Sequence, residues 1–197
     1  MSDPLYKRMT AFLLEVGIND QPHTGKTYIG HLLAVHRLLE ERGCGIDACR
    51  AGLFHSVYGT EMFQGFRLPL ERRSEVRALI GERAERLAYL NCAMDRASLD
   101  ASLERAEPPF PIRDRLAGAD VALGREDLDD LCRVHLYDWL EQVPRSRHGY
   151  GYRRAAYRRM AERLGPDAVA AYDRVFSGEP AAPDRPDAPR LGSPSGS

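Results

Sequence analysis

Apolar residues recur along this chain at helical spacing. Between Leu5 and Val16, the positions Leu5, Met9, Phe12, Leu13 and Val16 fall on one face, and Gly17 follows as a stop. A polar stretch from Ile18 to Gly25, holding Pro22 and His23, reads as a loop. A second helix is predicted from Thr27 to Arg42, with Tyr28, Leu32, Val35 and Leu39 as its stripe and Gly43 as its terminator. Asp47 is placed to cap a third helix, Ala48 to about Val57, because its carboxylate can accept from the unpaired amides of a first turn. The short Gly43-Cys44-Gly45-Ile46 connection favours antiparallel packing of these two helices.

Val76, Leu79, Ile80, Ala84, Leu87 and Leu90 mark further helix, in two pieces around Gly81. Pro108, Pro109 and Pro111 exclude helix locally, and Ile112 to Leu116 and Asp120 to Leu123 flank Ala-Gly-Ala as a small hairpin. Helical spacing returns from Glu126 to Val143, and again from Ala155 to Phe176 with a break at Gly165-Pro166. The expected fold is therefore all-α, a compact bundle of six or seven helices with a small β-hairpin, forming one domain over 1–176. Residues 177–197, mostly Pro, Ala, Asp, Gly and Ser, are predicted to be disordered because they hold too little apolar surface to offset the entropy of ordering.

Composition narrows the function classes. A hydrophobic content of 43% in 197 residues suffices for a sizeable core. The net charge of -1 supplies no electrostatic footprint for nucleic acid, and Lys7 and Lys26 are the only lysines. No apolar run approaches the roughly 18 to 20 residues needed to span a bilayer, and the N-terminus lacks a signal-peptide pattern, so a soluble, cytoplasmic protein without a membrane partner is expected. Cys44, Cys49, Cys92 and Cys132 show no Cys-x-x-Cys spacing and read as thiols.

The stretch from Ala51 to Phe63, Ala-Gly-Leu-Phe-His-Ser-Val-Tyr-Gly-Thr-Glu-Met-Phe, places His55 at the end of an apolar helix, directly before polar groups. His31 upstream and Asp138 in Val-His-Leu-Tyr-Asp-Trp-Leu-Glu-Gln complete a candidate metal site. Two imidazoles and a carboxylate suit one divalent transition metal, iron or manganese first and zinc as the alternative, and they leave coordination positions open for substrate or water. His23 and Glu61 flank the site as a general base or further ligand, and Tyr58 and Thr60 as substrate-positioning groups. Lys26, Arg145 and Arg147 are candidates for holding an anion. His135 shares a helix face with Asp138 and is an alternative ligand, though it reads more simply as a packing residue; His36 lies off the His31 face and reads as surface. Gly25-Lys26-Thr27 is no P-loop, since Asp20 stands where the first glycine belongs.

His31 on one helix, His55 on the next and a late helical aspartate resemble the HD-like superfamily of all-helical metal enzymes. In that superfamily the middle motif is His-Asp, whereas this chain carries His55-Ser56. The missing carboxylate normally ligates or bridges the metals, so the resemblance implies a degenerate site rather than a dinuclear one. A closer resemblance is to an uncharacterised bacterial and fungal family with a leading His, then His-Leu, then Ala-Gly-Leu-Phe-His-Ser-Val-Tyr-Gly-Thr-Glu and Asp-Trp-Leu-Glu-Gln. Here these are His23, His31-Leu32, Ala51 to Glu61 and Asp138 to Gln142, spanning roughly residues 20 to 145. The expectation is a metal-dependent enzyme acting on a small molecule, with hydrolysis of a phosphate-bearing or other anionic substrate first. The alternatives are a mononuclear non-haem iron oxygenase and a metal-free ligand-binding shell; a helical surface of this kind would also support a homodimer.

Overall fold

The computed structural model describes residues 3–18, 22–23 and 26–181. Among them are nine α-helices: α1 (Tyr6–Glu15), α2 (Tyr28–Glu41), α3 (Ile46–Phe54), α4 (Arg73–Ile80), α5 (Glu82–Ala93), α6 (Arg96–Leu103), α7 (Arg125–Gln142), α8 (Arg154–Leu164) and α9 (Pro166–Phe176). Two small antiparallel pairs accompany them, β1 (Pro22–His23) with β2 (Lys26–Thr27), and β3 (Phe110–Asp114) with β4 (Ala119–Leu123). The fold is mainly α with a small hairpin, as the periodicity predicts.

Helix α2 starts where Thr27 Oγ1 accepts from the Gly30 amide at 3.2 Å, satisfying one orphan donor of the first turn. The cap of α3 differs from the expectation. Gly45 occupies that position, and Asp47 lies inside the first turn, where a carboxylate favours the positive end of the helix dipole. Helices α2 and α3 approach closely because Gly52 has no side chain: a Cβ there would lie 2.2 Å from Leu39 Cδ1. Helix α3 ends at Phe54, which leaves His55 as its C-cap.

Gly81, at φ +96°, divides α4 from α5, and Gly165, at φ +103° with Pro166 behind it, divides α8 from α9. Helix α6 is an element that the proline-rich texture of its region conceals. The Asp95 carboxylate starts it by accepting from the Ser98 amide at 2.9 Å, and the prolines mark only the chain beyond its end. The β3–β4 hairpin begins earlier than predicted, with Phe110 opposite Leu123 and Ile112 opposite Val121, and Phe110, Ile112 and Asp114 buried on alternate positions.

Helix α7 is the central element. It packs against α2, α3, α5 and α8 and is buried almost all round from Leu128 to Leu140, so every polar residue on that stretch needs a partner. His36 corrects the surface expectation: it is buried beneath the Tyr6 ring of α1, with Nδ1 3.4 Å from Glu40. The four cysteines are free thiols. No helix among the described residues is long and apolar enough to cross a membrane. Most of the tail expected to be disordered, residues 182–197, lies outside the described residues, as do the side chains of His23 and Lys26.

Candidate metal centre

Antiparallel packing of α2 and α3 brings the first turn of one against the end of the other, and α7 crosses beneath both. His31, His55 and Asp138 meet there, at 1%, 1% and 7% exposure. His31 Nε2 lies 3.2 Å from His55 Nε2 and 3.1 Å from Asp138 Oδ1, and His55 Nε2 lies 3.3 Å from the same oxygen. The three atoms form a nearly equilateral triangle. Ligands about 2.1 Å from a common metal are separated by about 3.0 Å at right angles and about 3.4 Å in a tetrahedron, so these edges match three ligands on one face of a single ion.

The hydrogen bonds on the far sides of the rings determine what faces the triangle. His55 Nδ1 lies 2.7 Å from the carbonyl oxygen of Gly52, which can only accept, so this nitrogen carries a proton. His31 Nδ1 donates likewise to Glu141 Oε2 at 2.6 Å. In the neutral imidazoles both Nε2 atoms are therefore bare lone pairs aimed at a carboxylate oxygen. Such an arrangement is repulsive unless a cation sits among the three atoms.

A proton is the cation available to the chain alone. Burial opposes charge on His31, but its bonds to Asp138 and Glu141 outweigh burial and push its pKa up to about 9. Burial also opposes ionisation of Asp138, yet its place beside the two imidazoles, His55 and His31, holds its carboxyl well below the usual range. The donor set and its triangle fit a divalent transition metal equally well in place of that proton.

A second layer orients the triad. Glu141 is gripped by Arg145, which donates to both of its carboxylate oxygens at 2.9 Å, so a carboxylate–histidine pair supports His31 in the manner common at metal sites. Gln142 Nε2 donates to Asp138 Oδ1 at 2.8 Å. The His55 carbonyl accepts from Asn91 Nδ2 at 2.8 Å, which ties the C-cap to α5. Ser56, where the resemblance places a carboxylate, has its hydroxyl 2.9 Å from that of Tyr28. Glu141 and Gln142 lie in the Asp-Trp-Leu-Glu-Gln motif but are not among the site residues expected from the sequence; the available signal is spacing, since they follow Asp138 by three and four residues on one helix.

The triad forms the floor of a cavity of about 390 Å³. Arg96, Arg145 and Arg147 stand on its walls, together with Trp139, Tyr152 and Tyr157. Trp139 stacks on Tyr157 with ring centroids 5.2 Å apart, and Arg96 donates to the Tyr152 hydroxyl at 2.7 Å.

The other candidates divide. Thr60, Arg145 and Arg147 line the cavity as expected. Tyr58 does not. It is fully buried and its hydroxyl donates to Glu85 at 3.1 Å, on the side of the bundle formed by α4 and α5. Glu61 is exposed and does not line the cavity among the described residues; its carboxylate accepts from the Arg96 amide at 3.3 Å. His135 is a buried structural histidine. Its Nδ1 donates to Asn91 Oδ1 at 3.2 Å, its Nε2 accepts from Arg153 at 3.2 Å, and burial followed by the nearby arginines holds it neutral.

A family model described as a domain of unknown function (DUF6817) matches residues 12–96. That span contains His31, His55 and Ser56 and stops before Asp138 and Glu141. No curated protein and no solved structure matches the chain.

Proposed function

We propose that this protein is a mononuclear metal-dependent enzyme for a small molecule, built on a degenerate HD-like bundle in which Ser56 stands where a second carboxylate would bridge two metals. The observation that carries this reading is the convergence of His31 Nε2, His55 Nε2 and Asp138 Oδ1 within 3.1 to 3.3 Å, with both Nδ1 protons committed elsewhere. A bound divalent ion would supply Lewis acidity toward water or a polarised oxygen and, as iron(II), an affinity for dioxygen.

The chain supplies the rest. Glu141, the Gly52 carbonyl and Gln142 fix the three donors in one orientation, and the buried floor strengthens every charge interaction above it. The guanidinium groups on the wall suit an anionic substrate, which keeps hydrolysis first among the reactions. One observation favours a second reading, oxygen-dependent oxidation. Asp138 is the only carboxylate among the described residues that line the cavity, so none remains there as a general base.

Elemental analysis of anaerobically purified wild type beside His55→Ala tests the proposal. Near one equivalent of transition metal in the wild type, lost in the variant, is the expected result. No metal in either protein after supply of iron, manganese and zinc would overturn it and leave a metal-free binding shell. With metal established, turnover that survives without oxygen but not with a chelator marks hydrolysis, whereas oxygen consumption that requires iron(II) marks oxidation.

A further inference from the structure

The walls of the cavity are as particular as its floor. Arg145 is neutralised by Glu141, and Arg96 has Glu61 3.8 Å away, whereas Arg147 forms no hydrogen bond or ion pair with the described residues. The walls therefore carry one uncompensated positive charge. Arg96 is only 14% exposed and its guanidinium is fixed by its bond to the Tyr152 hydroxyl, so the cavity that Arg147 lines also holds an ordered group of the same sign. Two forked donors with a net charge of one match a single carboxylate better than a dianionic phosphate.

Three aromatic rings, Trp139, Tyr152 and Tyr157, form another part of the wall. Trp139 and Tyr157 stack nearly parallel, at 8°, and Tyr152 tilts against Trp139 with centroids 5.2 Å apart. Because Trp139 and Tyr157 turn their faces to each other and are only 3% and 2% exposed, they offer ring edges to the cavity, and edge contacts favour an aromatic ligand beyond simple area burial. The volume of about 390 Å³ lies at the small end of ligand cavities, which limits that ligand to a ring or two.

We propose that the cavity binds a small aromatic carboxylate, its acid group held by Arg147 and Arg96 and its ring against Trp139, Tyr152 and Tyr157. Placing the reacting end of such a molecule over His31, His55 and Asp138 rests on the metal-enzyme reading; the recognition itself does not. Trp139 is the only tryptophan in the chain, so its fluorescence reports occupancy without turnover and without metal.

The experiment is a titration with benzoate, benzamide, cyclohexanecarboxylate and phenyl phosphate. It is run on chelated and on zinc-supplied full-length protein, wild type beside Arg147→Gln, and follows Trp139 emission. Benzoate is expected to give a saturable change in both metal states, to bind about tenfold or more tightly than neutral benzamide and cyclohexanecarboxylate, and to weaken about tenfold in Arg147→Gln. Arg147 is exposed, so the variant should keep the wild-type melting temperature, and a loss of binding then reads as recognition. Equal affinity for benzamide, tighter binding of phenyl phosphate than of benzoate, an unchanged Arg147→Gln, or no saturable signal would each overturn the assignment. If benzoate binds as expected while metal analysis is empty, the metal reading fails and this one stands.

Discussion

Two buried polar clusters sit on either side of α3, and they differ in how their lone pairs are met. Around Glu85, itself fully buried, Arg73 donates from Nε at 2.7 Å and from Nη2 at 3.0 Å, and Tyr58 donates at 3.1 Å. Donors face acceptors, and the Arg73 guanidinium also covers the Tyr89 ring at 3.5 Å. Around Asp138 the acceptors face one another. His31 Nε2 and His55 Nε2 have their rings' other protons committed on the far side, at Glu141 and Gly52, and both face Asp138 Oδ1, which takes a single outside donor among the described residues, Gln142. A cluster of the first kind is complete and holds the fold; a cluster of the second kind has a defined gap in charge that could hold a cation.

The comparison predicts a crossed result. Asp138→Ala should abolish stoichiometric metal binding while the bundle remains folded, measured by elemental analysis and circular dichroism. Glu85→Ala should leave metal content at the wild-type level but lower stability by about 3 kcal/mol in a urea titration, because it strands Tyr58 and Arg73 beside buried surface. Loss of metal in Glu85→Ala at temperatures where it is folded would erase the distinction between the clusters.

Smaller effects sharpen it. Glu141→Gln keeps a hydrogen-bond acceptor for His31 but removes its charge, and should weaken metal affinity about 10- to 100-fold in a chelator competition. In chelated protein, the His31 pKa of about 9 in the fold lies above its unfolded value, so its stabilising contribution is full below about pH 6.5 and is lost as pH rises through about 9. The urea midpoint of chelated protein should fall over that window, with a loss of about 3 kcal/mol in stability, and the fall should shrink when metal replaces the proton. A midpoint that rises between pH 6.5 and 9 would contradict the assignment of the proton to His31. Gly52→Ala should cost about 1 kcal/mol by overpacking Leu39 at the α2–α3 contact, read from the melting temperature.

Much of this was legible in the chain because helical periodicity is strong and the breaks at Gly81 and Gly165 are local. The triad was legible too, since His55 interrupts an apolar helix end, His31 lies beside an apolar stripe and Asp138 falls on a polar line of its helix. Tyr58 misled because proximity in sequence is not proximity of side chains: three residues beyond His55, its ring has turned to α4 and α5. His36 looked exposed on its own helix and is buried where α1, remote in sequence, lays Tyr6 against it. Glu141 stayed hidden because its meaning is a partner 110 residues away.

The double grip of Arg145 on Glu141 has a thermodynamic consequence. Arg145 belongs to the cavity wall and Glu141 to the support of His31, so the loop after α7 and the floor are linked through one carboxylate. Any anion that draws Arg145 away from Glu141 alters the basicity of His31 and thus the hold on a metal ion. Reciprocity then requires the ion to change the affinity for that anion by the same factor. Wall and floor would titrate as one allosteric unit only a few ångströms across.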